Sequence, residues 1–232
     1  MELVFEKYHF NIKNNSINCI IGKGINLELL EYACKYVDSV KLIIHPIINN
    51  ILYKTVKKEL SYAFEQSNHR NPNKIVDSLK IVGLDNTYLN KKISDLSSSE
   101  LYLIRLASIL LINPKILILE SPNIYLDYKH YLNFLKIIRT IKRRYNKTII
   151  IFSNDSDFIH SIADYIFVIN EKGILEQGNK YEIFTNEKLL KKCQISMPKI
   201  ILFEKKVFNK IGINIGYRDN INDLIKDIYT YK

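Results

Sequence analysis

The chain has 232 residues, 47% hydrophobic and 25% charged, which supplies a sizeable core for one to two domains and excludes a disordered chain. The net charge of +10 is spread along a sequence rich in Lys, Asn, Ile and Tyr. Its densest run, Lys142-Arg143-Arg144, falls at an expected helix end where cations favour the dipole, so solvated faces are expected and a nucleic-acid partner is not. The apolar runs are far too short to cross a bilayer and no leader pattern opens the chain, so a cytoplasmic, soluble or peripheral protein is expected.

In chain order, the first strong signal is residues 17–21, apolar without alternation, followed by Gly22 and a helical pattern over 27–37. Similar runs at 41–44, 116–119, 148–152 and 165–169 predict strands buried on both faces, as in a parallel sheet covered by helices. Between them, apolar stripes predict helices at 73–82, 100–111 and 131–145. The stretch 55–113 carries no strand pattern and reads as a helical insertion. After Gly178 the sheet pattern stops, and helix-like stretches follow at 186–193, 198–207 and 221–229. Cys19, Cys34 and Cys193 are distant, odd in number and form no CxxC pair, which predicts buried thiols and neither a zinc site nor a disulfide framework.

Strand, glycine turn and helix around Gly22 form the setting of a phosphate-binding loop, where backbone N–H groups and a helix N-terminus cradle phosphate. That loop needs GxxxxGK[ST]. Counted from Gly22, its glycine, lysine and hydroxyl fall on Leu27, Glu28 and Leu29. A carboxylate stands in place of the ammonium, and no hydroxyl is left for Mg²⁺. Taken by themselves, Gly22 and Gly24 read as an ordinary strand–helix turn. Ser97 followed by Glu100 is a capping box, which by itself means only a well-capped helix.

Residues 116–127, reading ILILESPNIYLD, closely resemble the Walker B and D-loop stretch of ABC-type ATPases, four apolar residues followed by DEPTxGLD. Pro122, Leu126 and Asp127 match; Glu120 replaces the Mg²⁺-coordinating aspartate and Ser121 the glutamate that polarises the attacking water. Leu96-Ser97-Ser98-Ser99-Glu100 stands where the family has LSGGQ, with serines in place of its glycines. Residues 148–155, TIIIFSND, resemble the strand and switch loop ending STHD, with Asn154 at the histidine position. The order Ala163-Asp164, strand, Lys172-Gly173-Ile174, Glu176-Gln177-Gly178, Glu182-Ile183-Phe184 continues the resemblance without a gap. Residues 41–56 resemble the Q-loop strand and the segment after it, with Thr55-Val56 matching and His45 at the glutamine position. Val82-Gly83-Leu84 followed by Leu96-Ser97, and a tail with Phe184, Leu189-Leu190, Pro198 and Ile221 to Tyr229, are similar to the energy-coupling factor branch, whose C-terminal extension forms part of a dimer contact. No counterpart of the family's N-terminal hairpin is found before Ile17, nor of the strands between the phosphate-loop helix and the Q-loop strand.

The resemblance implies an α/β fold of the P-loop NTPase (ABC ATPase) type: a parallel sheet, a helical subdomain at about 55–113, a reduced N-terminal β-subdomain and a small C-terminal helical extension. The nucleotide-binding domain would span 1–184 and the dimerisation extension 185–232. ATP and Mg²⁺ are the implied cofactors. Every position the family uses for its own nucleotide departs: Glu28 and Leu29 in the phosphate loop of Gly22 and Gly24, and the catalytic positions His45, Glu120, Ser121 and Asn154. Glu120 is the candidate Mg²⁺ ligand. Leu96, Ser97, Ser98, Ser99, Glu100 and Asp127 would instead face the ATP of a partner subunit. The expected protein is a catalytically degenerate subunit of an energy-coupling factor-type importer at the cytoplasmic face of the membrane. It would pair with a paralogous active ATPase and offer residues 47–61 to a transmembrane coupling subunit. Two alternatives stay open: a stand-alone interaction or regulatory protein on a dead ABC ATPase scaffold, and a subunit that binds ATP without hydrolysing it.

Overall fold

The computed structural model describes residues 2–5, 8–23, 40–44, 53–67, 70–211, 223, 225 and 226. The chain divides into two compact units, residues 1–29 with 151–232 and residues 30–150.

In the unit of residues 30–150, β4 (Val40–Ile44) pairs in parallel with β5 (Ile116–Glu120), with Ile43 opposite Ile118 and Ile44 opposite Leu119. Ile116 to Leu119 are all buried, the pattern of a strand covered on both faces. Thr148 N donates to Lys115 O at 3.2 Å, which sets the start of β6 (Thr148–Phe152) beside β5. Among the described residues, four α-helices accompany these strands: α1 (Val56–Glu65), α2 (Asn73–Ile81), α3 (Ser98–Ile112) and α4 (Tyr128–Tyr145). Helix α3 is apolar nearly all round and buries Tyr102, Leu103, Ile104, Leu106 and Ala107; it packs on α1 and α2. Helix α4 is amphipathic, with Phe134, Leu135, Ile138 and Ile141 inward and Lys142 to Arg144 in its last turn. Gly83, at φ +77°, stops α2, with Leu84 N donating to Leu79 O at 2.9 Å and Gly83 N to Lys80 O at 3.1 Å. Asn113 (φ 59°) and Asn146 (φ 49°) terminate α3 and α4 in the left-handed region.

In the other unit, β3 (Ile17–Gly22) is buried throughout and pairs in parallel with β7 (Tyr165–Asn170), which pairs antiparallel with β8 (Gly173–Gly178). Helix α5 (Ser156–Ile162) is capped by Asp155. Asp164 Oδ2 accepts from Ile17 N at 2.7 Å at the entry to β3. The helices α6 (Lys180–Thr185), α7 (Glu187–Cys193) and α8 (Lys199–Ile211) follow, with α6 and α7 lying against β7. Cys19 and Cys193 are buried, as expected.

Three elements depart from the sequence reading. A two-stranded antiparallel sheet, β1 (Glu2–Phe5) with β2 (Tyr8–Asn11), precedes Ile17, where no hairpin was expected. Its strands are only four residues long, β1 reading ELVF with three apolar residues, and β2 shows only as an alternation with Tyr8 and Phe10 inward and His9 and Asn11 outward. Phe10 meets Phe167 edge-on at 5.3 Å, and Tyr8 Oη donates to Asn170 O at 2.7 Å, so this sheet is tied to β7. Strand β8 is not among the expected strands either, and α1 falls inside the helical insertion expected at 55–113 without being singled out there. Strand β8 is a half-exposed edge, and only three residues of α1, Val56, Leu60 and Ala63, are buried.

Candidate functional site

Within residues 30–150 the signature-like segment and the aspartate after β5 form one corner. Ser97 caps α3: its Oγ accepts from Glu100 N at 3.2 Å, and Glu100 Oε2 accepts from Ser97 N at 2.8 Å. This is the reciprocal pair that the S-x-x-E pattern predicts. Ser97 and Ser98 are exposed, whereas Ser99 turns inward and is 5% exposed. Ser99 Oγ donates to Tyr125 O at 3.0 Å and accepts from Asp127 N at 3.1 Å. Asp127 in turn caps α4, its Oδ1 accepting from His130 N at 2.9 Å and its Oδ2 lying 2.6 Å from His130 Nδ1. These bonds from His130 hold the Asp127 carboxyl below the usual carboxylate range. A single buried hydroxyl thus fixes the start of α3 against the start of α4.

Glu100, at the position of the family's glutamine, has its charge managed locally. Tyr88 Oη donates to Glu100 Oε1 at 2.5 Å and Lys91 Nζ to the same atom at 3.1 Å. The Lys91 ammonium also sits 3.7 Å from the Tyr88 ring centroid. The hydrogen bonds from Tyr88 and from Ser97 N hold the carboxyl down at about 2. Glu100 is therefore ionised at neutral pH, with Lys91 as its counter-ion. Sequence reading did not anticipate Tyr88 or Lys91, since both lie on the irregular stretch before α3.

Strand β5 ends on a half-buried Glu120, and the chain then turns at Ser121 with φ 39° and ψ 48°. This left-handed conformation in a residue with a side chain costs about 1 kcal/mol or more. Pro122 opens the short 3₁₀ turn Pro122–Tyr125. Tyr125 stacks on Tyr102 of α3 at 6.0 Å and 8°, and its phenol is pushed up by burial and then by the charge of Glu120. Glu120 supplies one carboxylate at the end of β5; Ser121 supplies a hydroxyl, which has no basicity at neutral pH. Among the described residues, no three His, Cys, Asp or Glu side chains converge to cage a metal. Mg²⁺ takes only one or two protein carboxylates beside phosphate oxygens, so Glu120 fits that minimal role.

The other unit brings Gly22 and Asn154 together. Gly22 closes β3 at φ +128°, and a Cβ built there would lie 2.1 Å from Ile169 O of β7, so only glycine fits. Gly22 N donates to Asn154 Oδ1 at 3.0 Å. Asn154 is presented by the loop after β6, which is anchored by Ser153 N donating to Ile20 O at 3.2 Å and by the Asp155 cap of α5. Gly24, Glu28, Leu29 and His45 lie outside the described residues.

No protein-family model matches the sequence. Among curated proteins, the chain is 30% identical over 233 residues to the energy-coupling factor transporter ATP-binding protein EcfA3 of Oenococcus oeni, covering 97% of this chain and 77% of that one. The chain belongs to the energy-coupling factor transporter ATP-binding protein family. It is also 27% identical to the EcfA protein of Methanococcus maripaludis, covering 94% of this chain and 82% of that one. With EcfA2 of Clostridium perfringens it shares 30% identity over 70% of this chain and 58% of that protein. Several further relatives extend well beyond the match, which spans 45% to 66% of their length. Solved structures agree on the fold. The chain is similar to cbiO1 of Clostridium perfringens, described as part of the ABC transporter complex cbiONQ (TM-score 0.64, 20% identity, 88% of this chain and 96% of that one). It is similar too to a dimeric bacterial ABC transporter cassette (TM-score 0.59, 14% identity, 75% and 89%). The fold is the ABC ATPase form of the P-loop NTPase fold expected from the sequence.

Proposed function

We propose that this chain is an ATP-binding-cassette subunit of an energy-coupling factor-type importer that has given up hydrolysis at its own nucleotide and completes the site of a competent partner. The observation that carries the reading is the contrast between the two sets of positions. At the end of β5, Ser121 replaces a carboxylate with a hydroxyl, so the group that would polarise water is missing. The phosphate-loop positions Glu28 and Leu29 carry no ammonium and no hydroxyl. On the other side, Ser97 is exposed at the start of a capped 15-residue helix, and Asp127 is held by Ser99. A helix N-terminus with a hydroxyl and first-turn amides is suited to a partner's γ-phosphate. Mg²⁺ and ATP would then reach this chain through the partner, with Glu120 able to offer one carboxylate. The partner would be a paralogous ATPase subunit. The pair would sit on the cytoplasmic face of the membrane, docked to a transmembrane coupling subunit near residues 47–61.

The test is co-expression with a competent ATPase subunit and measurement of ATP turnover by the pair. Turnover should require this chain and should fall about 10-fold or more with Ser97→Ala, since one donor on a developing phosphate charge is worth that much or more. Equal turnover by the partner without this chain would sink the reading. A pair that turns over normally with Ser97→Ala would remove the role given to α3.

A further inference from the structure

Residues 30–150 contain a cavity of about 620 Å³, set where α2, α3 and α4 end and lined by none of Ser97, Glu100, Glu120, Ser121 or Asp127. Its charged lining is one-sided: Lys74, Lys80, Lys136, Arg144 and Lys147 against Asp77 alone. Three of these cations belong to helix C-termini. Lys80 and Arg144 lie in the last turns of α2 and α4, and Lys147 Nζ bonds Asn113 Oδ1 at 2.6 Å and Asn113 O at 3.3 Å, at the cap of α3.

Dipole compensation explains each cation separately but not their sum. A helix C-terminus is worth about half a negative charge, so three such ends and Asp77 offset about half of the five cations. A net charge of about two and a half positive units remains. Lys74 is paired with Asp77 at 3.7 Å. Among the described residues, Lys80, Lys136, Arg144 and Lys147 have no carboxylate within 4 Å. Lys147 is 9% exposed, and its burial pushes the ammonium down from the usual lysine value. A buried cation whose partners are neutral is costly to keep unless an anion joins it. Asn133 adds a neutral amide, the Ser78 and Thr140 hydroxyls donate to Ile75 O at 2.7 Å and Lys136 O at 2.8 Å of their own helices, and Ile81, Leu110 and Ile137 give the floor an apolar surface. The volume is that of a small-molecule site.

We propose that this cavity binds a small, multiply charged phosphate ester, with Lys136, Arg144 and Lys147 as its chief phosphate contacts. The ligand ties α2 to α4 across the end of α3 and so stiffens the helical region that carries Ser97 at its other end. The inference does not depend on what happens at the nucleotide positions. The phosphate ester could be free in solution or the headgroup of a lipid.

Inorganic pyrophosphate, titrated calorimetrically into the whole chain without Mg²⁺, probes the soluble form. Sedimentation with vesicles containing phosphatidic acid probes the lipid form. The expected result is saturable binding in at least one arm, weakened at least 10-fold by Lys136→Gln with Arg144→Gln, two substitutions on the surface of α4 that leave its buried face intact. Lys188→Gln with Lys191→Gln on α7, which removes the same charge elsewhere, should leave binding within 2-fold. Binding of pyrophosphate assigns a soluble phosphate-bearing ligand; binding of vesicles alone assigns a headgroup. The proposal is overturned by no binding in either arm, or by equal losses in the two double variants, which would mean bulk charge attraction only.

Discussion

Two adjacent serines should behave in opposite ways. Ser99→Ala removes the hydroxyl that donates to Tyr125 O at 3.0 Å and accepts from Asp127 N at 3.1 Å, and alanine offers nothing in exchange. An orphaned buried backbone group costs about 1–3 kcal/mol. Asp127 is exposed and Tyr125 half-buried, so water can reach part of what is lost, and the low end of that range applies to each group. The sum is about 2 kcal/mol, which for a chain of this size lowers the melting temperature by about 4–8 °C. Ser98→Ala, one residue earlier and exposed, should stay within about 0.5 kcal/mol of wild type. Urea unfolding at unchanged m-value, with thermal melts alongside, measures both. Hydrogen exchange at the Asp127 amide should quicken only in the Ser99 variant. Equal stabilities for Ser99→Ala and wild type, or an equal loss in both alanine variants, would refute the view that one buried hydroxyl holds the two helix starts together.

Two further outcomes follow from groups in the same region. Tyr102 is 3% exposed, and its hydroxyl has no hydrogen-bond partner among the described residues; Tyr102→Phe keeps the stacking on Tyr125 and should therefore raise stability by about 1 kcal/mol in urea unfolding. Glu100 carries a folded-state value of about 2 against an ordinary 4.5, so its stabilising share is complete above about pH 4.5, declines as pH falls from there to about 2, and is absent below. The stability difference between wild type and Glu100→Gln should shrink across that window, and a difference independent of pH would contradict the assigned network.

What the sequence made legible was whatever depended on neighbours in the chain. The strands 17–21, 116–119, 148–152 and 165–169 announce themselves because burial on both faces makes them almost continuously apolar, with Asn18 and Thr148 as the buried polar exceptions. The Ser97–Glu100 cap is visible because both partners sit within one turn. Strands with one wet face are quieter: β8 reads GILEQG, in which two consecutive residues are exposed, and neither alternation nor an apolar run marks it. Side-chain bonds between distant segments leave no local trace. The Ser99–Asp127 pair is 28 residues apart and the Gly22–Asn154 pair 132. Asn154 could be named as a site residue from family likeness, but not as the acceptor for Gly22 N. Gly22 itself was read as a phosphate-loop glycine, and its demand for glycine arises as much from Ile169 O on the next strand.

A carboxylate at position 100 is the feature that most needs reconciling with the proposed role of α3. On that reading the start of the helix meets a partner's γ-phosphate, and an ionised Glu100 one turn in would repel it. A unit charge about 8 Å from a phosphate, at an effective dielectric of about 20, costs about 2 kcal/mol, which falls below about 1 kcal/mol at physiological salt. Lys91, 3.1 Å from Glu100 Oε1, cancels this penalty while the carboxylate keeps its cap on Ser97 N. Lys91→Gln leaves the cap and the Tyr88 bond in place and exposes the charge. With a competent partner subunit, ATP turnover should then fall about 3-fold at 0.15 M salt and further at low salt, while the melting temperature of this chain shifts little, since an exposed pair contributes under about 1 kcal/mol. Glu100→Gln combined with Lys91→Gln removes the charge with its counter-ion and should restore turnover. If Lys91→Gln leaves turnover unchanged at low salt, then the start of α3 does not lie close to a phosphate, and the retained corner of Ser97, Ser99 and Asp127 serves only the fold.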